Sequence, residues 1–289
     1  MPTHHIGRGL AAVRAAGTAG RGETPADARR SSIAQIVSPP VLWHYNFSNF
    51  NEKARWALDF KGVSHVRRSL LPGGPRAMAF SLRGTLPVLD LDGERIVDST
   101  RIIAALERRN PQPRLYPSDR VQRSAALALE DFFDEEAGHE LRRAGFYEWR
   151  TSPRFVSRLL TTGRGRATRA FMRATLPGAM VYARRRYRIY PVDAEQARVK
   201  LMAALDRIIS ELQPSGYLVG ESFSVADLTA ASLLFPLAMP AELHYAYPEL
   251  PDWGALRPHA EHPAVDWVRE MYRRHRLSAR TRACETIRT

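Results

Sequence analysis

A proline at the head of a short apolar run constrains this chain more than any other feature. The stretch is Thr85-Leu86-Pro87-Val88-Leu89, followed by Asp92-Gly93 and then Asp98-Ser99. Proline has no N–H to give to a sheet, so inside a strand it is a defect. At the first residue of a strand, with the Leu86–Pro87 bond cis, it becomes a shaped edge that can offer backbone to a ligand. Asp92-Gly93 has the composition of a tight turn between two short strands. Asp98-Ser99 has that of an N-cap for the helix expected over Arg101 to Arg109. A strand, a turn, a strand and a helix are thus expected in order.

Length asks for more than this unit. At 289 residues the chain exceeds the usual size of one core, so two domains are expected. Its 44% hydrophobic and 25% charged residues are ordinary for a globular protein. The longest apolar candidate for a membrane span, Leu228 to Met239, is short of the roughly 18 residues required and contains Pro236, so it reads as a buried core helix. The single cysteine, Cys284, leaves no intramolecular disulfide and fits a reducing cytoplasm.

Charge is the unusual part of the composition, at a formal +13. Between Leu141 and Val192 the only acid is Glu148, against thirteen arginines from Arg142 to Arg188. Such a stretch can attract an anionic surface or an acidic substrate. No nucleic-acid motif accompanies it, so it is read first as a solvated helical face, with nucleic acid not expected as a partner.

Four regions follow. Residues 1–40 are rich in Gly, Ala, Arg and Ser without apolar periodicity, which predicts disorder or a dispensable extension. They also lack the apolar segment of a secretory signal. Residues 41–117 read as an α/β unit. Its expected elements are a strand over Val41 to Tyr45, a helix over Glu52 to Lys61 ended by Gly62, and a strand over Val63 to Leu70. The breakers Pro72-Gly73-Gly74-Pro75 follow, then strands over Leu86 to Leu91 and Arg95 to Val97, and the helix from Ser99. The proline-studded run Asn110 to Pro117 is the expected boundary. Residues 118–277 read as an all-helical domain, with helical periodicity over Ala125 to Glu136, Gln196 to Leu212 and Ala226 to Phe235, and 278–289 as a tail. Ser224-Val225-Ala226-Asp227 has the spacing of a capping box, preceded by Phe223.

The strand-heading Pro87, the Asp98-Ser99 cap and the run Tyr217 to Asp227 together resemble the glutathione transferases. The resemblance covers roughly residues 41–275. It implies a thioredoxin-like N-terminal α/β domain followed by an all-α bundle, and it implies glutathione as co-substrate, with no metal. In that family a Tyr, Ser or Cys after the first strand stabilises the glutathione thiolate. Matching Lys53 to Leu58 with the family's first helix places Ser48 in this catalytic position. Asn49, Asn51 and Tyr45 are the polar alternatives nearby. No cysteine occurs at Ser48, Phe50 or Asn51, which argues against thiol-exchange chemistry. Carried over likewise, Pro87 shapes the ligand edge and Val88 pairs its backbone with the cysteinyl part of glutathione. Asp98 takes the γ-glutamyl ammonium and Ser99 its carboxylate. The alternative for Asp98-Ser99 is that the pair only caps the helix. Lys53 and Arg55 lie on the first helix without an assigned role.

The expected function is activation of the glutathione thiol for attack on a small electrophile, in a cytoplasmic protein that is a homodimer by family expectation. Phe132, Phe133, Phe146, Tyr147 and Trp149 are candidates to line the electrophile pocket, or else core residues. Asp98-Ser99-Thr100-Arg101-Ile102-Ile103 also bears a weaker similarity to membrane-associated prostaglandin E synthase type 2, whose cysteine pair this chain lacks. The alternative of a different class is a non-catalytic glutathione-fold scaffold that binds a partner or an anionic surface through Arg142 to Arg188.

Overall fold

The computed structural model describes residues 39–80 and 85–276. The expectations for residues 1–38 and for the tail beyond Arg276 therefore lie outside the described residues.

The first half builds one small sheet. Strand β1 (Val41–His44) alternates half-buried and buried residues, and its buried Leu42 and His44 face helix α1 (Asn49–Phe60). Strand β2 (Val66–Ser69) lies parallel to β1, with Val41 opposite Val66. A short helix α2 (Pro75–Phe80) begins at the last residue of the predicted breaker cluster, where a proline suits the first helical position. Strands β3 (Val88–Leu91) and β4 (Glu94–Val97) form a hairpin about Asp92-Gly93, both at positive φ. The sheet order is β2-β1-β3-β4, with β3 antiparallel to both of its neighbours. Helix α3 (Ser99–Arg109) follows. The Leu86–Pro87 bond is cis, as expected, and so is Gln112–Pro113, which was not expected.

The second half is all helical: α4 (Arg120–Phe133), a π-helical turn (Asp134–Gly138), α5 (His139–Glu148), α6 (Pro153–Leu160), α7 (Arg166–Arg186), α8 (Pro191–Glu211), α9 (Val225–Ala238), α10 (Arg257–Ala260) and α11 (Ala264–His275). The α/β domain followed by a helical bundle is the expected fold class. Among the described residues no helix is long and apolar enough to cross a membrane.

Helix α9 is the axis of this half. It is apolar on every side and almost wholly buried, and it packs against α1, α4 and α11. A buried carboxylate fixes its start. Asp227 accepts the Ser224 N–H at 2.8 Å and hydroxyl at 2.9 Å on one oxygen, and the Leu218 N–H at 2.8 Å on the other. The capping box is present, and Asp227 is its hub. One continuous core joins the halves across the proline-rich segment. Phe223 stacks on Trp56 and lies tilted against Phe60 of α1, with ring centroids 5.6 and 5.3 Å apart. A smaller core of Trp149, Phe155, Val156 and Leu176 lies under α6 and α7.

The contact between the halves is also ionic. Lys53 on α1 is fully buried, its Nζ 2.9 Å from Glu130 Oε1 and 2.8 Å from Asp134 Oδ2. Its hydrogen bonds go to Asp134 and to Thr100 Oγ1, so Glu130 has only the charge contact. Arg276, the last described residue, reaches back to Glu52 at 2.9 Å and to Asp59. Arg55 holds Glu52 at 2.8 Å and His44 Nδ1 at 2.9 Å. Lys53 and Arg55 thus tie α1 into the fold.

Candidate active site

The turn between β1 and α1 is held by three asparagines. Asn46 Nδ2 donates to the Thr162 carbonyl at 2.6 Å. Asn49 Nδ2 donates to the carbonyls of Gly138 and Leu233, at 3.2 and 3.1 Å. Asn51 accepts the Tyr45 N–H at 3.1 Å and donates to the Leu86 carbonyl, also at 3.1 Å. The end of β1 is thereby joined to the residue before the cis proline. Asn49 and Asn51, the alternatives to Ser48, are both occupied in holding this backbone. Burial raises the Tyr45 phenol well above its ordinary pKa, which makes it a poorer proton donor to a sulfur anion.

Ser48 stands apart from these neighbours. It is half-buried, precedes the first residue of α1, and passes its carbonyl to the Glu52 N–H at 3.0 Å. Its hydroxyl does not cap the helix and makes no hydrogen bond among the described residues. Ser48 is one of the residues that line a cavity. Three stretches of chain wall this cavity: Phe47 to Asn49; Leu141, Arg142, Phe146, Trp149 and Leu159 on α5, α6 and the turn between them; and Phe235, Pro236, Met239 and the 247–250 loop after α9. Of the expected aromatic lining, Phe146 and Trp149 are there. Phe133 is buried in the main core with Phe132 against it, and Tyr147 lies under the Arg150 guanidinium at 3.7 Å. Gly138 admits Phe50 beside this turn, since a Cβ there would sit 2.6 Å from the Phe50 ring.

Asp98 and Ser99 begin α3. Asp98 Oδ1 accepts the N–H groups of Thr100 and Arg101 at 3.0 and 3.2 Å, so it caps the helix, while Oδ2 makes no hydrogen bond among the described residues. Its backbone is strained, at φ 91° and ψ 137°, and its N–H is held by the Pro87 carbonyl at 3.3 Å. Ser99 is buried in the first turn. Val88 departs from expectation. It lies opposite Trp43 on one side and Val97 on the other, so a strand flanks both of its edges and no edge is open to a ligand. The backbone left outside the ladder is upstream, at Leu86 and Pro87. The sequence did not single out Arg142 within its arginine-rich stretch, and only packing separates it from the rest.

The chain matches the glutathione S-transferase N-terminal domain over residues 42–114 and the glutathione S-transferase C-terminal domain over residues 181–272, together more than half of its length. It belongs to the glutathione S-transferase family. Solved structures share the fold at low identity. A glutathione S-transferase from Methylobacillus flagellatus KT, with GSH bound, is 19% identical, with a TM-score of 0.56, over 80% of this chain and 93% of that one. The β-etherase LigF from Sphingobium sp. strain SYK-6 is 18% identical, TM-score 0.58, over 81% and 94%. A glutathione S-transferase from Methylobacterium radiotolerans JCM 2831, in complex with glutathione sulfonate, is 20% identical, TM-score 0.56, over 87% and 97%. No curated protein sequence matches the chain.

Proposed function

We propose that this protein binds glutathione and activates its thiol through Ser48 for attack on an electrophilic small molecule held in the adjoining cavity. The observation that carries the reading is the uncommitted hydroxyl of Ser48, a residue set at the N-terminus of α1 and lining an apolar cavity. A free thiol of pKa about 8.5 is only a few per cent ionised at pH 7. A hydroxyl donor combined with the positive end of a helix favours the anion. The thiolate then forms a C–S bond at the electrophilic carbon; in a substitution the carbon–leaving-group bond breaks and its electron pair departs with the leaving group, and in an addition the π bond breaks and its electron pair takes up a proton from solvent.

Asp98 Oδ2 and the Ser99 hydroxyl and N–H are assigned to the two ends of the γ-glutamyl group. Backbone pairing with the cysteinyl unit is assigned to Leu86 rather than Val88, because Leu86 N–H meets no acceptor among the described residues. The test is an absorbance titration of thiolate in the glutathione complex, with calorimetric binding in parallel. Ser48→Ala should raise the bound thiol's pKa by about 1–2 units, the equivalent of one charge-assisted hydrogen bond at about 1.5–3 kcal/mol. Its glutathione affinity should stay within a few-fold of wild type. No thiolate near pH 7 in the wild-type complex would remove Ser48 as activator. Failure to bind glutathione at all would leave the fold as a non-catalytic binding module.

A further inference from the structure

The cavity beside Ser48 is apolar on nearly every side, yet one of its wall residues is a cation that the fold leaves without a counter-charge. Arg142 makes no ion pair or hydrogen bond among the described residues, and its Nε is buried with no acceptor. Its guanidinium lies over the Tyr187 ring, 4.4 Å from the centroid. Glu140, the nearest acid in sequence, is taken by Arg143, and Glu148 is held by Arg198 at 2.8 Å. The charges around Arg142 are mostly of its own sign, Arg143 and Arg186 among them, and burial with that repulsion lowers its pKa. A second donor in the same wall, Trp149 Nε1, is also buried without an acceptor. Arg142, Phe146 and Trp149 recur at four- and three-residue steps and so share one face of α5 and its continuation, the face that lines the cavity.

A guanidinium nitrogen buried without an acceptor is costly, and structures that retain one usually supply a partner. Arg142 is also one of the residues that line the cavity, which offers space for such a partner. We propose that the second substrate is an apolar, aromatic or aliphatic molecule bearing a carboxylate, which Arg142 receives while Phe146, Trp149, Leu159 and Phe235 cover its body. The inference rests on the reading of Ser48 above and deepens it to a substrate class. The segment concerned, from Leu141 to Leu159, lies between the two regions that match the family. Glutathione also carries carboxylates, and the experiment separates the two sources.

The probes are 4-phenylbutanoate and its neutral amide, followed by calorimetry on the full-length protein. Wild type is expected to bind the acid at least ten-fold more tightly than the amide. Arg142→Met should abolish that preference and leave amide binding, glutathione affinity and the bound thiol's pKa unchanged. Its melting midpoint should fall only slightly, because no ion pair is lost and only the contact with the Tyr187 ring is given up. Equal binding of acid and amide by wild type, or no binding of the acid, overturns the proposal without any variant. Weakened glutathione binding in Arg142→Met would assign the cation to glutathione's own carboxylate, and a raised thiol pKa would assign it to the sulfur; either overturns it. Loss of glutathione binding in wild type would sink the reading of Ser48 and leave the acid-to-amide comparison intact.

Discussion

Asp98 illustrates how much one residue can be asked to do. Its φ of 91° is a conformation that costs a non-glycine residue on the order of 1–3 kcal/mol, and its cap bonds and the Pro87 carbonyl keep it there. One carboxylate oxygen serves the helix, and the other is assigned to the ligand's ammonium. The two roles can be separated by chemistry. Asparagine caps a helix about as well as aspartate but carries no charge. Asp98→Asn should therefore change stability by less than about 0.5 kcal/mol while weakening glutathione binding roughly ten-fold or more, the scale of a charge-assisted hydrogen bond. Thermal melting and calorimetry on the same protein check both halves. A large loss of stability with unchanged affinity would leave Asp98 as a cap only. Ser48 is the converse case: a residue at a helix start that withholds its side chain from capping and is thereby left available.

At the level of elements, the start of α9 matters most. Ser224 to Asp227 was legible as a capping box, but the spacing did not indicate that Leu218 would also depend on Asp227. Three donors in a buried place converge on this carboxylate. Asp227→Ala removes the cap, worth about 0.5–2 kcal/mol, and also orphans buried N–H groups at about 1–3 kcal/mol each. The expected loss is at least about 3 kcal/mol, read as a drop in the denaturation midpoint with an unchanged m-value. A loss under 1 kcal/mol would mean that water replaces the carboxylate. The other unforeseen element is the π-helical turn at Asp134–Gly138. It brings Asp134 onto Lys53 and Thr100, and it carries the Gly138 carbonyl that receives Asn49. An apolar period over Ala125 to Glu136 could announce a helix there but not its widening.

Across the whole molecule, Arg276 ties the last described segment to the first helix through two buried carboxylates. Burial alone would raise the pKa of Glu52, but Arg276 and Arg55 outweigh it and take the group from its ordinary 4.5 down to about 2. Asp59 is lowered for the same reason, by Arg276 with help from His244 and Arg67. A carboxylate whose pKa is depressed on folding contributes stability above its unfolded pKa and loses it as pH falls toward the folded value. Glu52 alone should account for about 3 kcal/mol lost between roughly pH 4.5 and 2. Arg276→Met should flatten this acid limb of the stability curve and lower stability at pH 7. An acid limb identical to wild type would show that the pair does not link the two ends.

What the sequence determined by itself were features written in short-range chemistry. The cis proline heading its strand, the Asp92-Gly93 hairpin, the Asp98-Ser99 cap and the buried helix after Phe223 depend on neighbouring residues, whose φ preferences, missing N–H and apolar period act locally. The same signals carried the α/β-then-helical order, while Ser48 was singled out only through the family resemblance. Tertiary structure decided everything that depends on which distant atoms meet. Strand order encloses Val88 between β1 and β4 and closes the edge expected there, because pairing on both sides is a property of the sheet and not of the strand. Packing sends Phe133 to the core and Phe146 and Trp149 to the cavity, although all three are equally aromatic. It also distinguishes Arg142 from twelve other arginines between Leu141 and Val192, since a charge becomes distinctive only through the solvent and counter-charges that the fold removes from it.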